Sequence, residues 1–231
     1  MDSLLDHPIT KRWPPARPDA IQLYSFPTPN GIKVAVALEE LELPYEAHRV
    51  SIMAGDQKTD AFLALNPNGK IPAIIDPDGP GGRPIGLFES GAILVSLAEK
   101  TGRLLPAGPE RYEVLAWLMF QMAGVGPMIG QLNFFAKFGG VEIEDPRPRQ
   151  RYRDESERLL SVVEGRLADR PWIAGDYSIA DIALAPWLRA LRTVYESEPV
   201  LDPSRYPATA AYLGRWEARP AVQRGLNVPP R

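Results

Sequence analysis

Apolar residues alternate with others from Ile21 to Phe26, and then the period changes. Val34, Leu38 and Leu41 recur at helical spacing while Glu39, Glu40 and Glu42 stay polar. The pattern predicts a strand over 21–26, apolar on much of both faces, then a helix that Pro44 closes. The stretch "YEAHRVSI" supplies a second strand, giving a strand-helix-strand unit whose crossover is expected to be right-handed. A short helix near Lys58 to Leu65 follows, and a turn at Asn66 to Gly69 leads into a third strand from Lys70 to Ile75. Pro72 near its start suits a strand beginning or an edge, because proline donates no ladder hydrogen bond. The turn-rich "DPDGPGGRP" and the following "IGLF" predict an antiparallel hairpin. Glu89 and Ser90 then open a helix, "GAILVSLAEK", that Gly102 ends.

Composition shifts at Pro106 to Gly108, after which every apolar period is helical. A long apolar helix is interrupted by Gly124, Gly126 and Pro127, where a missing backbone donor predicts a kink or break. Tyr152, Leu159, Leu160, Val163 and Leu167 mark another helix, and Ser178 with Asp181 has capping-box spacing ahead of the apolar run 182–191. These readings divide the chain into a Pro-rich arm over 1–19, an α/β domain over 20–103 and an all-helical domain over 107–231.

The 231 residues suffice for two small cores, and 45% hydrophobic with 24% charged residues is ordinary for a globular protein. A net charge of -3 offers no broad attraction to nucleic acid. No segment approaches the roughly 20 apolar residues needed to cross a bilayer. The first residues lack an apolar core and a small-residue cleavage site, so they read as an arm and not a signal peptide; the cytoplasm is the default location. The arm's composition is not expected to build a core, which leaves it mobile or laid on a partner.

Zero cysteines changes the picture most. It removes disulfides, thiolate metal sites and any protein thiol nucleophile, so sulfur chemistry must use a thiol brought in. With only His7 and His48, a serine-histidine triad or a multi-histidine metal site has no material, and no metal is expected. His48 alternates with apolar residues and reads as a solvated strand position.

At "FPTPNG" the strand hands over to the helix. The amides opening the helix near Gly31 can stabilise an anion, Thr28 adds a hydroxyl, Asn30 adds a side-chain donor, and Pro29 fixes the approach. The same residues equally make an ordinary helix cap and turn.

Taken in order, "FPTPNG", "NPNGKIPAIID", "LFESGAILVSLAEKTG" and "YSIADIALAPW" resemble the cytosolic glutathione transferase superfamily. The likeness is nearest to its bacterial nu class, the disulfide-bond reductase type, which shares Thr-Pro-Asn and the segment Gly126 to Gln131; it spans about residues 20 to 225. The resemblance implies an α/β thioredoxin-like N-terminal domain, an all-α C-terminal domain and a homodimer. It implies glutathione as co-substrate and assigns its contacts. Ile71 and Pro72 form a cis pair whose backbone meets the cysteinyl part, Glu89 and Ser90 hold the γ-glutamyl end, and Gln57 and Lys70 flank the tripeptide. One arginine among Arg147, Arg149, Arg151 and Arg153 reaches a carboxylate, with Arg151 indicated by "QRY". The thiol-activating tyrosine, serine or cysteine of better-known classes has no counterpart: Tyr24 lies too early and reads as strand core. Thr28 and Asn30 remain as the catalytic candidates, able to hydrogen-bond a thiolate but not to act as bases.

The implied activity is reduction of small disulfides by thiol exchange, with attack on an electrophile as a competing reaction. Met119, Met122, Met128, Phe134 and Phe135 could line a pocket for that electrophile or could be plain core. The alternative is a non-catalytic regulatory or binding member of the fold. Retention of Asn30, Ile71-Pro72 and Glu89-Ser90 together favours a working site.

Overall fold

The structure, a computed structural model, describes residues 6–193, 202 and 204–230. Two compact units divide the chain: Met1–Leu105 with Pro220–Arg231, and Pro106–Arg219. In the first unit α1 (Pro8–Arg12) precedes β1 (Ile21–Ser25), α2 (Pro29–Glu40) and β2 (Tyr45–Arg49), with β1 and β2 parallel as the strand-helix-strand reading requires. A 3-10 turn at Asp56–Lys58 and α3 (Asp60–Leu63) lead to β3 (Ala73–Gly79), β4 (Arg83–Phe88) and α4 (Ser90–Thr101). The sheet order is β2-β1-β3-β4, and β3 runs antiparallel to both neighbours. Every residue of β1 is buried, which is why that strand shows apolar positions on both faces.

Several expectations are corrected by tertiary context. β3 starts at Ala73, not Lys70, and continues to Gly79 through a segment expected to turn. Asp76 pairs with Ile85 and Gly79 with Arg83, so Pro77 and Asp78 bulge between registered pairs, where the ladder asks no donor of proline. The arm does contribute to a core. Ile9 of α1 is fully buried in a cluster with Tyr24, Val50, Phe62, Leu65, Ala73 and Ile75, Trp13 packs against it, and Arg12 pairs with Asp56 at 2.5 Å. One buried isoleucine and one tryptophan suffice to dock five helical residues.

His48 is buried, not solvated. Its ring stacks on Tyr24 with centroids 4.8 Å apart, and its Nε2 lies 2.7 Å from Gln22 Oε1. Gln22 Nε2 donates to the carbonyls of Arg17 and Ala20, which fixes the amide, so its oxygen accepts and His48 Nε2 carries the proton. Burial lowers the imidazole pKa, and the neutral form fits this stack.

The last helix, α10 (Pro220–Gly225), belongs to the first unit and packs on α2, so the helical domain ends at Arg219 and not at residue 231. A side chain at Gly225 would place its Cβ 2.8 Å from the Val36 backbone, so glycine permits the contact.

The second unit holds α5 (Glu110–Phe120), α6 (Gly126–Lys137), α7 (Arg147–Leu167), α8 (Ile179–Thr193) and α9 (Pro207–Glu217). No break separates α5 from α6. A π-helical stretch, Gln121–Val125, joins them, and Gly126 N–H donates to Gln121 five residues back, which absorbs the donor lost at Pro127. The continuous helix Glu110–Lys137 is therefore long and apolar enough to cross a membrane by length and composition, contrary to the sequence expectation. Its buried side is core: Val114, Leu118, Val125, Ile129 and Leu132 are enclosed, and its parts pack on α7 and α8.

Ser178 and Asp181 form the expected reciprocal cap. Ser178 Oγ accepts from Ala180 N–H, while the Asp181 carboxylate accepts from the amides of Ser178 and Ile173, both at 2.9 Å. Burial pushes the Asp181 carboxyl up to about 6, opposed by these donors.

Candidate functional site

Sheet register brings three segments that carry predicted site residues of the first unit to one end of the sheet. Tyr24 on β1 stands opposite Ala73 on β3, and Ala73 stands opposite Phe88 on β4, so these three form one row at one end of the sheet. The chain leaves that row toward Thr28 and Asn30, enters it from Ile71 and Pro72, and leaves it again through Glu89 and Ser90. Three segments distant in sequence thus meet at one sheet end.

Thr28 is the N-cap of α2: its Oγ1 accepts from Gly31 N–H at 3.3 Å, and its carbonyl accepts from Ile32 N–H at 2.9 Å. Its own amide donates to Phe26 O at 2.7 Å, folding the loop tightly. The cap occupies the oxygen of the hydroxyl and leaves the proton for donation, so the cap and the ligand roles coexist. The Gly31 amide is spent on Thr28 and Pro29 has none, which reduces the amides that the opening of α2 can offer an anion. Gly31 is required sterically: a Cβ would sit 2.0 Å from Phe26 O and 2.6 Å from Ser25 Oγ.

The Ile71–Pro72 peptide is cis. The paired register of β3 begins at Ala73, so the peptide groups of Ile71 lie outside the ladder. Asn66 Nδ2 donates to Lys70 O at 2.5 Å and fixes this segment, while the Lys70 side chain is exposed. Gln57 is half-buried in the 3-10 turn that packs on Gly69; its Oε1 is buried without a hydrogen-bond partner.

Glu89 is the N-cap of α4, with φ 69° and ψ 112°, an uncommon conformation for a residue with a Cβ. It turns the chain from β4 into α4 and leaves its side chain exposed, while Ser90 is 3% exposed. No side chain of the N-cap residue covers the first amides of this 12-residue helix, in contrast to α2. The α4 opening therefore presents amides and a hydroxyl to an anion, next to a carboxylate suited to an ammonium.

Lys33 was not singled out in the sequence. It sits on α2, is 1% exposed, and directs its ammonium to Ser90 Oγ at 3.4 Å. Burial pushes its pKa down to about 7, opposed by the Glu89 carboxylate. The available signal was its position: a lone cation inside "GIKVAVAL", where the surrounding positions are apolar or small.

Tyr24 is fully buried, its hydroxyl has no hydrogen-bond partner, and burial raises its pKa, which agrees with the reading as strand core. Arg151 is exposed on α7 in the second unit and is not among the residues that the sheet assembles; Arg147 is engaged with Asp145 at 2.5 Å. Met119 and Phe134 are exposed, and Met122, Met128 and Phe135 are half-buried, so these five form apolar surface of the second unit and not its plain core. Among the described residues no group of His, Cys, Asp or Glu could hold a metal ion.

The family model of the glutathione S-transferase N-terminal domain matches residues 28–100, and that of the C-terminal domain matches residues 146–215. The chain belongs to the glutathione transferase family. Within that family it is 44% identical over 209 residues to the disulfide-bond oxidoreductase YfcG of Escherichia coli, covering 89% of this chain and 94% of that one. Among solved structures, a glutathione transferase from Burkholderia graminis, with two glutathione molecules bound per subunit, is 57% identical with a TM-score of 0.96, covering 100% of this chain and 97% of that one. A glutathione transferase from Pseudomonas putida, with one glutathione disulfide per subunit, is 52% identical, also with a TM-score of 0.96, covering 98% of this chain and 99% of that one. The first unit described above carries the thioredoxin-like N-terminal domain of this family's fold.

Proposed function

We infer that this chain is a glutathione-dependent disulfide-bond reductase with accompanying transferase activity, and that glutathione lies along the sheet end formed by Thr28, Asn30, Ile71 and Ser90. The observation that carries the reading is the convergence of those segments on one sheet row in a chain without cysteine. Ser90 and the α4 amides donate to the γ-glutamyl carboxylate, Glu89 takes its ammonium, and the Ile71 peptide pairs with the cysteinyl backbone. Gln57 and Lys70 flank the tripeptide. The sulfur then falls near the Thr28 hydroxyl and Asn30, which stabilise a thiolate by hydrogen bonding.

The bound thiolate attacks one sulfur of a disulfide, and a new S–S bond forms as the old one breaks. The other sulfur leaves as a thiolate that takes up the proton glutathione released on ionising. A second glutathione thiolate attacks the resulting mixed disulfide, which yields glutathione disulfide and the second thiol. Two glutathiones are oxidised per disulfide reduced. The two glutathiones and the glutathione disulfide carried by the two bacterial relatives fit both ends of this cycle. A reducing compartment such as the cytoplasm would supply the thiol, and the working form we assign is a homodimer, expected as a two-subunit species in sedimentation at micromolar concentration.

Turnover with hydroxyethyl disulfide beside an aryl halide tests the reading. Consumption of glutathione with the disulfide supports it; binding of glutathione without turnover of either substrate would make the chain a regulatory member of the fold. Ser90→Ala is expected to weaken glutathione binding by about 1–3 kcal/mol, the scale of a lost charge-assisted hydrogen bond. Unchanged affinity by calorimetry would remove Ser90 from the site.

A further inference from the structure

The short helix α1 touches two elements that carry residues assigned to the glutathione tripeptide. Its Ile9 is fully enclosed in one cluster with Phe62, Leu65, Ala73 and Ile75, and Ile71 packs against the same cluster. Ala73 directly follows the cis Ile71–Pro72 pair and stands in the sheet row, so Ile9 fills the cluster on which that segment rests. Arg12 reaches from α1 to Asp56, which opens the 3-10 turn that carries Gln57. The Asp56 carboxylate divides its oxygens: Oδ1 accepts from Arg12 at 2.5 Å, and Oδ2 accepts from Ser51 N–H at 3.0 Å. Its own amide donates back to Ser51 O at 3.1 Å. One side chain therefore closes the loop from Ser51 to Asp56 and ties the closed loop to α1, while α1 also packs on α3, the helix that continues the turn.

Five residues are too few to hold a helix alone, so α1 depends on its seat in the cluster, where Trp13 meets the Tyr24 ring edge-on with centroids 6.0 Å apart. A second anchor lies just beyond. The amides of Ala16 and Arg17 donate to the Glu46 carboxylate on β2 at 3.0 and 2.8 Å, and Pro14 and Pro15 join the two anchors. α1 can therefore leave its seat while the chain at Ala16 stays attached, and a segment so tethered returns readily.

We propose that α1 is a positioning element of the glutathione site: docked, it holds the Gln57 turn through Arg12 and the Ile71 segment through Ile9, and undocked it releases both. The proposal rests on the glutathione site assigned above. Coupling of this kind is reciprocal. If the docked helix favours the ligand, the ligand favours the docked helix by the same factor. An arm that only stabilised the fold would undock equally with and without ligand.

The test uses the full-length protein and S-methylglutathione, which carries no free thiol. Hydrogen exchange read by mass spectrometry reports α1 through the Thr10 and Trp13 amides, which donate to the His7 and Ile9 carbonyls at 3.0 and 2.9 Å. Saturating ligand is expected to slow exchange in peptides covering α1 by about fivefold or more, the lower end of measured couplings between sites. Arg12→Gln is expected to raise the KM for glutathione about threefold and Ile9→Ala about tenfold, each with kcat within about twofold of wild type, and Arg12→Lys to stay near wild type. Loss of folded enzyme alone would instead lower the apparent kcat and leave KM unchanged. The wild-type exchange needs no variant and decides the matter if Ile9→Ala fails to fold. Exchange in α1 that ignores the ligand, or Arg12→Gln and Ile9→Ala with the wild-type KM, would overturn the role of α1 and leave the site standing. Wild type that does not bind S-methylglutathione at all would overturn the site itself.

Discussion

Replacing Gly31 by alanine is expected to destabilise the first unit by about 3 kcal/mol, the upper range of an overpacking change, and to abolish glutathione binding with it. In an exposed helix the same substitution would be favourable by about 1 kcal/mol. Here the added Cβ meets Phe26 O at 2.0 Å and Ser25 Oγ at 2.6 Å. The first is a backbone atom already bound by the Thr28 amide, and the second belongs to a fully buried residue, so neither neighbour can step aside. The start of α2 must move instead, and it carries Thr28, Asn30 and Lys33. Chemical denaturation together with binding of S-methylglutathione checks this; an unchanged or raised midpoint would show that α2 does not lie against the strand end as described.

The second large effect lies in the other unit. Asp181→Ala is expected to cost about 4 kcal/mol, because it strands two buried amides, those of Ile173 and Ser178, at about 1–3 kcal/mol each. Asp181→Asn keeps one acceptor oxygen and is expected to cost less. The pH dependence has a definite sign. The folded carboxyl, pushed up to about 6, binds its proton before the unfolded one, so this group favours folding at low pH and loses that contribution as pH rises from about 4 to about 6. Subtracting the Asp181→Asn stability curve from that of the wild type isolates the slope. A cost near zero for Asp181→Ala would mean that the carboxylate does not cap α8.

How far the sequence carried depends on whether a feature is local. The strand-helix-strand unit, the hairpin, the helical second half and the Ser178–Asp181 cap all follow from period changes and capping chemistry within a dozen residues, and all are present. The places of Thr28, Ile71, Pro72, Glu89 and Ser90 at element boundaries are legible, because residue type there is tied to backbone geometry. What was not legible depends on partners far along the chain. Ile9 is buried only because Phe62 and Ile75 wait for it, and α10 joins the first unit only because Gly225 fits against Val36. Pro127 reads as a breaker, yet one π-helical turn, with Gly126 bonding to Gln121, carries the helix through it. His48 alternates like a half-exposed strand residue, and only Gln22 and Tyr24 across the sheet explain its burial. Lys33 was missed because a lysine among apolar residues reads as a solvated interruption until the helix is placed and its partner, Ser90, is seen.

The central claim is that the strand-to-helix junction holds the sulfur of a thiol that the protein does not itself possess. The measurement that tests it most directly is the pH dependence of hydroxyethyl disulfide reduction by glutathione for wild type and Asn30→Ala, with S-methylglutathione affinity followed in parallel. Removing the Asn30 donor is expected to raise the pKa of the bound thiol and slow reduction about tenfold or more at neutral pH, a change of about 1.4 kcal/mol per tenfold, with the deficit closing as pH rises and affinity nearly constant. Thr28→Ala is expected to act in the same direction and less. An Asn30→Ala enzyme with the wild-type rate and the wild-type pH profile would contradict the account, and would reduce the Thr-Pro-Asn-Gly junction to a helix cap.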